Sequence, residues 1–252
     1  MYIEKAFVES VERLGEEIFL MKVFSPAIAY IAKPGQFCNI KVSENNFPLL
    51  RRPFSICNVD GDYVLFLFDI HGEGTKILSS KKKGDSVELL GPLGKGFIFD
   101  DDYETAVIVA GGLGAAPFPF LIKNISSEKN IVCLVGGRSK KQIVTNGLKN
   151  IEIATDDGSE GFKGTVIDLL KEKVKSISKS KFRIFACGPN AMLKALQQYS
   201  IENNFDCQIS LESAMACGFG ICQGCPVDSA KGESYLLICK DGPVFNANEV
   251  KL

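Results

Sequence analysis

Ala106-Val107-Ile108-Val109-Ala110-Gly111-Gly112-Leu113-Gly114-Ala115-Ala116-Pro117 is the stretch that decides the fold. Its apolar run does not alternate, which suits a strand covered on both faces. Glycines follow at once, and Pro117 stands where a helix can begin and a missing N–H costs nothing. Strand, glycine turn and helix in that order suit a dinucleotide pyrophosphate, which needs close backbone approach. The turn departs from G-x-G-x-x-G, because Pro117 occupies the last glycine's place.

Toward the C-terminus, Ile131 to Val135 is a second continuous apolar run, and Ile151–Ala154, Phe182–Ala186 and Cys207–Leu211 are further strand candidates. Thr165-Val166-Ile167-Asp168 opens a helix with a capping-box pattern, continued by Leu169, Leu170 and Val174. Asn190 to Ile201 is another helix, with Met192, Leu193, Leu196 and Tyr199 on one side. Such alternation predicts a parallel α/β nucleotide-binding domain over 102–210. Gly136-Gly137-Arg138 and Cys187-Gly188-Pro189 also follow strands, so three glycine turns collect at one sheet edge, where ligands bind in such sheets. Each alone could be a tight turn. The candidate NAD-binding residues are Gly111, Gly112, Gly114, Pro117, Gly136, Cys187, Gly188 and Pro189. Arg138, Lys140 and Lys141 could hold the 2′-phosphate of NADP or form a solvated helix start. Asp156-Asp157-Gly158 could repel that phosphate or be a turn. The balance favours NAD.

Toward the N-terminus, residues 1–101 read as short strands, Glu17–Phe24, Gln36–Val42, Tyr63–Ile70 and Ser86–Leu90, broken by turns at Lys33-Pro34-Gly35, Asp60-Gly61-Asp62 and Lys83-Gly84-Asp85. Strands with little helix predict a small antiparallel β-barrel. Arg52-Pro53-Phe54-Ser55 offers a guanidinium fork for a pyrophosphate, an aromatic to pack on a cofactor and a hydroxyl for a flavin ring. A surface arginine beside a core phenylalanine is the plainer alternative. Successive strand side chains face opposite ways, so Arg51 and Arg52 cannot both point at one phosphate. Ile70-His71-Gly72-Glu73-Gly74-Thr75 opens a short helix whose N-terminus suits a phosphate. Gly91-Pro92-Leu93-Gly94 closes the barrel region. His71 could be an acid–base group or line the cofactor through its backbone; hydride transfer from a nicotinamide needs no side-chain proton donor.

The last stretch, 211–252, carries four of the nine cysteines, as Cys217-x4-Cys222-x2-Cys225 and, after 13 residues, Cys239. An odd total, clustered this way, points to a metal site rather than a disulfide framework. Structural zinc favours paired C-x2-C knuckles, and only one such pair is present. The x4, x2 order is that of plant-type [2Fe–2S] sites. Gly218, Gly220 and Gly224 let the backbone wrap the sulfurs and aim N–H groups at them. Some 40 residues can hardly build their own core, so a metal is expected to organise the segment.

The whole chain has 252 residues, 29 Lys+Arg against 30 Asp+Glu, and 46% hydrophobic residues. A net charge of −1 gives no basic excess for nucleic acid. A single histidine excludes multi-histidine metal sites and Rieske centres. No apolar run approaches the ~20 residues of a membrane span. Met1 to Ser10 shows no basic-then-apolar signal, so the cytoplasm is the expected location.

Taken together, Arg52-x-x-Ser55, Gly74-Thr75, Gly111-Gly-x-Gly114-x-x-Pro117 and Cys187-Gly-Pro189 resemble the ferredoxin–NADP reductase superfamily. Ser210-Leu-Glu-x4-Cys217-Gly-x-Gly-x-Cys222-x2-Cys225, ending in Cys239-Lys-Asp-Gly-Pro-Val-Phe245, extends the resemblance over the full length to the electron-transfer subunits of NAD-linked dihydroorotate dehydrogenase B. This resemblance implies an FAD barrel over 1–101, an NAD domain over 102–210 and a [2Fe–2S] module over 211–252. By position, Arg52, Pro53, Phe54, Ser55, Asp69, Ile70, His71, Gly74 and Thr75 would bind FAD, and Cys217, Cys222, Cys225 and Cys239 the cluster. No side chain is assigned as catalytic. The implied partner is an FMN-containing dihydroorotate dehydrogenase catalytic subunit, two of each chain in a heterotetramer. Electrons would pass from its FMN through the cluster and FAD to NAD⁺, in pyrimidine biosynthesis. Phe219 and Ile221 would either meet that partner or shield the cluster. Two alternatives stay open: an iron–sulfur flavoprotein subunit serving a hydrogenase, sulfide or sulfite enzyme, and a non-enzymatic, zinc-stabilised binding module.

Overall fold

In the computed structural model, which describes residues 1–45, 47–177 and 181–252, the chain opens with a strand that the apolar pattern does not announce, β1 (Tyr2–Arg13). Glu4, Lys5, Glu9 and Glu12 mask it in the sequence, yet it pairs on both sides and its Ala6 and Val8 are buried. It is followed by β2 (Ile18–Phe24), α1 (Pro26–Ile31), β3 (Phe37–Lys41), β4 (Arg52–Ser55), β5 (Asn58–Asp60), β6 (Tyr63–Asp69), α2 (Glu73–Ser79) and β7 (Ser86–Leu93). These strands make one antiparallel sheet in the order β4-β3-β7-β1-β2-β6-β5. Phe54 of the edge strand β4 meets Phe68 and Phe66 of β6, with ring centroids 5.6 and 6.5 Å apart, and Cys57 N–H donates to Leu65 O at 2.9 Å. The sheet therefore curls into a barrel around Met21, Ile40, Phe66, Phe68 and Leu89.

The second sheet takes β8 (Thr105–Gly111), β9 (Asn130–Gly137), β10 (Ile151–Thr155), β11 (Phe162–Lys163), β12 (Phe182–Cys187) and β13 (Cys207–Ser210), parallel, in the order β11-β10-β9-β8-β12-β13. β8 buries both faces, as its unbroken apolar run predicts. Val107 and Val109 pack toward α4 (Val166–Ile177) and α5 (Asn190–Glu202); Ala106 and Ile108 pack toward α3 (Phe118–Asn124). The capping box at α4 is reciprocal: Asp168 N–H donates to Thr165 Oγ1 at 3.2 Å and Thr165 N–H to Asp168 Oδ2 at 3.1 Å. β8 sits between β9 and β12, so the strand order reverses there and opens a crevice at the carboxyl ends.

The tail departs from the expectation of a segment organised by metal alone. β14 (Pro226–Ser229), β15 (Tyr235–Leu237) and β17 (Val250–Lys251) form a small sheet, but β16 (Val244–Asn246) joins the central sheet, antiparallel to β13. Leu237, Ile238, Phe245 and Val250 share the core on which α5 packs. Buried Gln197 on α5 donates to Ala247 O at 2.7 Å and Val250 O at 2.8 Å. The tail thus borrows the apolar surface that its length denies it. Among the described residues no helix is long and apolar enough to cross a membrane.

Candidate functional site

Two cavities meet at the crevice. The larger, of about 990 Å³, is lined by Gly111 at the end of β8, Gly112 and Gly114 after it, Gly136 of β9, Gly188 and Pro189 after β12, and Thr165 with the first turn of α4. The three glycine turns of the sequence therefore face one space. A Cβ on Gly114 would lie 2.3 Å from Cys187 O, so the turns interlock with no room for a side chain. That close backbone cradle fits the pyrophosphate of a dinucleotide. Pro117 and Cys187 lie buried behind the wall. Arg138 and Asp156 line the cavity. Lys140 is paired with Glu160 at 2.9 Å and Lys141 with Glu16 at 3.2 Å, so two of the three cations considered for a 2′-phosphate are already engaged.

The smaller cavity, of about 370 Å³, lies between Pro53, Phe54 and Ser55 of β4, Leu67, Phe68 and Asp69 of β6, and residues 210–213 with Met215 at the start of the tail. Asp69, Leu113 and Glu212 line both cavities, so the two spaces share a wall. Arg52 points away from the smaller cavity's apolar floor to the start of α2, where a Cβ on Gly74 would lie 3.0 Å from its Nε. Thr75 Oγ1 there accepts from His71 N–H at 2.8 Å and donates to Gly72 O at 3.1 Å. Ile70 N–H is tied to Glu17 O at 3.2 Å. Arg51 is turned the other way, ion-paired to the Glu88 carboxylate and donating to Glu88 O at 3.0 Å. An aromatic cavity beside a cation and a helix N-terminus offers a ring site and a phosphate site along one strand, the chemistry a flavin dinucleotide needs.

The sequence reading gave Glu212 no role. It stands two residues past the end of β13, beyond buried Leu211, and no spacing or run in the sequence marks it. Protein surrounds it, yet its side chain stays open to the cleft. Partial burial, and then the nearby Asp69, push its carboxyl above the usual range. Cys187 Sγ is 4.0 Å from Glu212 Oε1, and burial, followed by that carboxylate, raises the thiol well above its ordinary value.

The four tail cysteines stand as two pairs. Cys222 N–H donates to Cys217 Sγ at 3.4 Å, and Cys239 N–H to Cys225 Sγ at 3.4 Å. Burial alone would raise the Cys217 thiol. Backbone N–H groups of Cys222, Phe219 and Ile221 offset this and hold it at about 6. Burial and the adjacent Cys225 push Cys239 up to about 12. Gly218 (φ +82°), Gly220 (φ +92°) and Gln223 (φ +58°) give the loop its tight path. Gln223 is braced by its own bond to Gly220 O at 2.6 Å and by Tyr235 Oη, which donates to its Oε1 at 3.2 Å. Among the described residues no three Cys, His, Asp or Glu side chains converge to hold a single metal ion. Two thiol pairs wrapped by N–H donors fit the four-thiolate, charge-stabilised surroundings of a [2Fe–2S] cluster. Asn39, also unmarked in the sequence reading, reaches this loop from the barrel, its Nδ2 donating to Cys217 O at 3.3 Å.

Comparison with known proteins gives a consistent answer. Residues 212–251 match the family model for the iron–sulfur cluster binding domain of dihydroorotate dehydrogenase B. The chain is 39% identical over 253 residues to the dihydroorotate dehydrogenase B (NAD(+)), electron transfer subunit, of Caldanaerobacter subterraneus subsp. tengcongensis, covering 98% of this chain and 97% of that one. It is 38% identical to the subunit of the same name from Desulforamulus reducens, with 97% of each chain covered. Among solved structures, one described as an NADH-dependent reduced ferredoxin-NADP oxidoreductase superposes with a TM-score of 0.86 at 27% identity, over 98% of this chain and 89% of that one. A ferredoxin NADP+ reductase from Neisseria gonorrhoeae shares the fold over 80% of this chain and 92% of its own, at a TM-score of 0.65 and 16% identity.

Proposed function

The chain belongs to the family of electron transfer subunits of dihydroorotate dehydrogenase B (NAD(+)), and from that premise we propose that it carries electrons between a partner's FMN and NAD⁺ in pyrimidine biosynthesis. It does so as an NAD(H)-linked flavin and iron–sulfur oxidoreductase subunit in the cytoplasm. Residues 1–101 hold FAD, 102–210 hold NAD(H) and 211–252 hold the [2Fe–2S] cluster. When bound, the flavin exchanges hydride with the nicotinamide and single electrons with the cluster.

One observation carries the reading. The cavity walled by Pro53, Phe54 and Ser55 shares Asp69, Leu113 and Glu212 with the dinucleotide cavity, and its far wall, at Met215, runs within two residues of Cys217. That adjacency supports a series of three sites. Arg52 and the Gly74–Thr75 turn would hold the FAD phosphates, and Ser55 and Asp69 would orient its ring. Gly111, Gly112, Gly114, Gly136, Gly188 and Pro189 would present backbone to the NAD pyrophosphate. Cys217 with Cys222, and Cys225 with Cys239, would each hold one iron.

The partner is the FMN-containing catalytic subunit, two of each chain. Its docking surface surrounds the cluster loop, where Ile221 is 75% exposed and Tyr235 57%. Exposed apolar side chains of this size beside an electron-transfer centre suit an interface core. The purified chain should show flavin and iron–sulfur absorption and about two iron and two sulfide per chain. It should oxidise NADH with an artificial acceptor and leave dihydroorotate untouched until the catalytic subunit is added. Dihydroorotate oxidation by this chain alone, or co-purification with a hydrogenase or sulfite enzyme instead, would overturn the reading. A charged substitution at Phe219 separates its two roles. Loss of complex formation with an intact cluster spectrum marks it as interface, and loss of the cluster marks it as a shield.

A further inference from the structure

Asn39 lies in the middle of β3, 0% exposed, paired with Pro53 of β4 on one side and Leu90 of β7 on the other. Pro53 belongs to the wall of the flavin cavity. The Asn39 side chain leaves the barrel and meets the cysteine loop, where Nδ2 donates to the carbonyl of Cys217 at 3.3 Å. The next residue, Gly218, sits at φ +82°, and a Cβ there would lie 2.2 Å from the same Nδ2. The loop backbone is thus pressed onto the amide. Asn39 Oδ1 is buried and has no hydrogen-bond partner among the described residues. A buried amide satisfied on one side only is worse for folding than an apolar side chain of the same shape. Packing does not explain an amide here; the one bond it makes, to a cluster ligand, does.

We propose that Asn39 is a positioning residue for the iron–sulfur cluster. It pins the peptide of the first ligand, Cys217, to the strand beside the flavin. That anchor keeps the following turn in the conformation from which Cys222 N–H reaches Cys217 Sγ at 3.4 Å. Hydrogen bonds to ligand sulfur stabilise the more negative, reduced state, so loosening them lowers the reduction potential. The inference rests on the [2Fe–2S] reading of the tail.

The test is a redox titration of the full chain, purified anaerobically with FAD bound, followed by electron paramagnetic resonance of the reduced cluster and by flavin absorbance. Asn39→Leu keeps the branched four-atom outline with bulkier ends and removes the donor. Asn39→Asp also removes it and adds a negative charge near the cluster. The expected order of cluster potential is wild type, then Leu, then Asp, each more negative, with altered cluster g-values and an unchanged flavin potential. Loss of the cluster with FAD retained in either variant supports the same role, since the ligand itself has then been released. Wild-type cluster potential and g-values in both variants would overturn it. So would equal shifts in flavin and cluster, or joint loss of both, which mark a general member of the barrel. Absence of iron and sulfide from the wild-type chain would instead sink the cluster reading, and the two failures are told apart by that analysis.

Discussion

The cysteine loop over 217–225 and the glycine turns at the carboxyl edge of the central sheet are built from similar material. Both use glycine to expose backbone N–H groups to negative charge. In the loop those groups are aimed at sulfurs that belong to the chain, as Cys222 N–H is to Cys217 Sγ. At the sheet edge they border an open space of about 990 Å³. The first arrangement suits a resident group, assembled once and kept. The second suits a molecule that arrives, reacts and leaves. The difference teaches that the same local device becomes a cofactor cage or a substrate site according to whether the chain supplies the anion.

The sharpest way to break the comparison is to remove one ligand. Cys225→Ser should eliminate the cluster, with iron and sulfide falling from about two each per chain to near zero. FAD and NADH binding, measured by flavin absorbance and NADH titration, should stay near wild type. Cys133→Ala, altering a buried cysteine of β9, should leave the iron content unchanged.

The same contrast governs thiol reactivity once iron has been chelated under reducing conditions. Cys217 is held at about 6, whereas burial pushes Cys57 and Cys207 up to about 12. A lowered value means thiolate above it. Alkylation of Cys217 should therefore be fast and nearly pH-independent above pH 7, and fall about tenfold per unit as pH drops below 6. Cys57 and Cys207 should label only on unfolding. Mass spectrometry of iodoacetamide-treated protein reads both, and equal labelling of all three would contradict the assignment.

Arg52→Ala should weaken FAD binding by roughly 10- to 150-fold, the loss of one charge-assisted contact of ~1.5–3 kcal/mol. Arg51→Ala should not, because its partner is Glu88. The reverse pattern in flavin retention would mean that β4 is read out of register.

Gly114→Ala is the mildest probe. The added methyl meets Cys187 O, so the turn must shift at a stability cost of about 1–3 kcal/mol, and NADH binding should weaken while cluster and flavin spectra persist. An unchanged NADH affinity would show that the edge turns do not hold the nucleotide.

The parallel half of the fold is legible because burial on both faces leaves unbroken runs such as Ala106–Ala110 and Ile131–Val135, and because Thr165 and Asp168 announce a helix start. β1 is not legible. Its charged residues interrupt the apolar alternation, even at half-buried Glu4, which accepts from Ser25 Oγ and the N–H groups opening α1, and only pairing with β2 and β7 reveals it. The site divides similarly. Cys217, Cys222, Cys225 and Cys239 carry a spacing, and Gly111, Gly136 and Gly188 each come at the end of an apolar run, so chain order exposes them. Glu212 and Asn39 have no such mark. Glu212 matters because two cavities meet at it, and Asn39 because a loop 178 residues later comes to rest on it. Juxtaposition across that distance is a property of packing, not of pattern.

The strand contributed by residues 244–246 has a consequence for how the molecule comes into being. Until those residues leave the ribosome, β13 presents an open edge of unpaired N–H and C=O groups along Gln208, Ile209 and Ser210. Synthesis runs N-terminal first, so the barrel and most of the central sheet are complete while this edge still waits. Residues 244–246 are its protective cap. Closure of this edge thus waits on residues that follow all four clustered cysteines in the chain, and a chain that stalls short of Val244 is left sticky along β13.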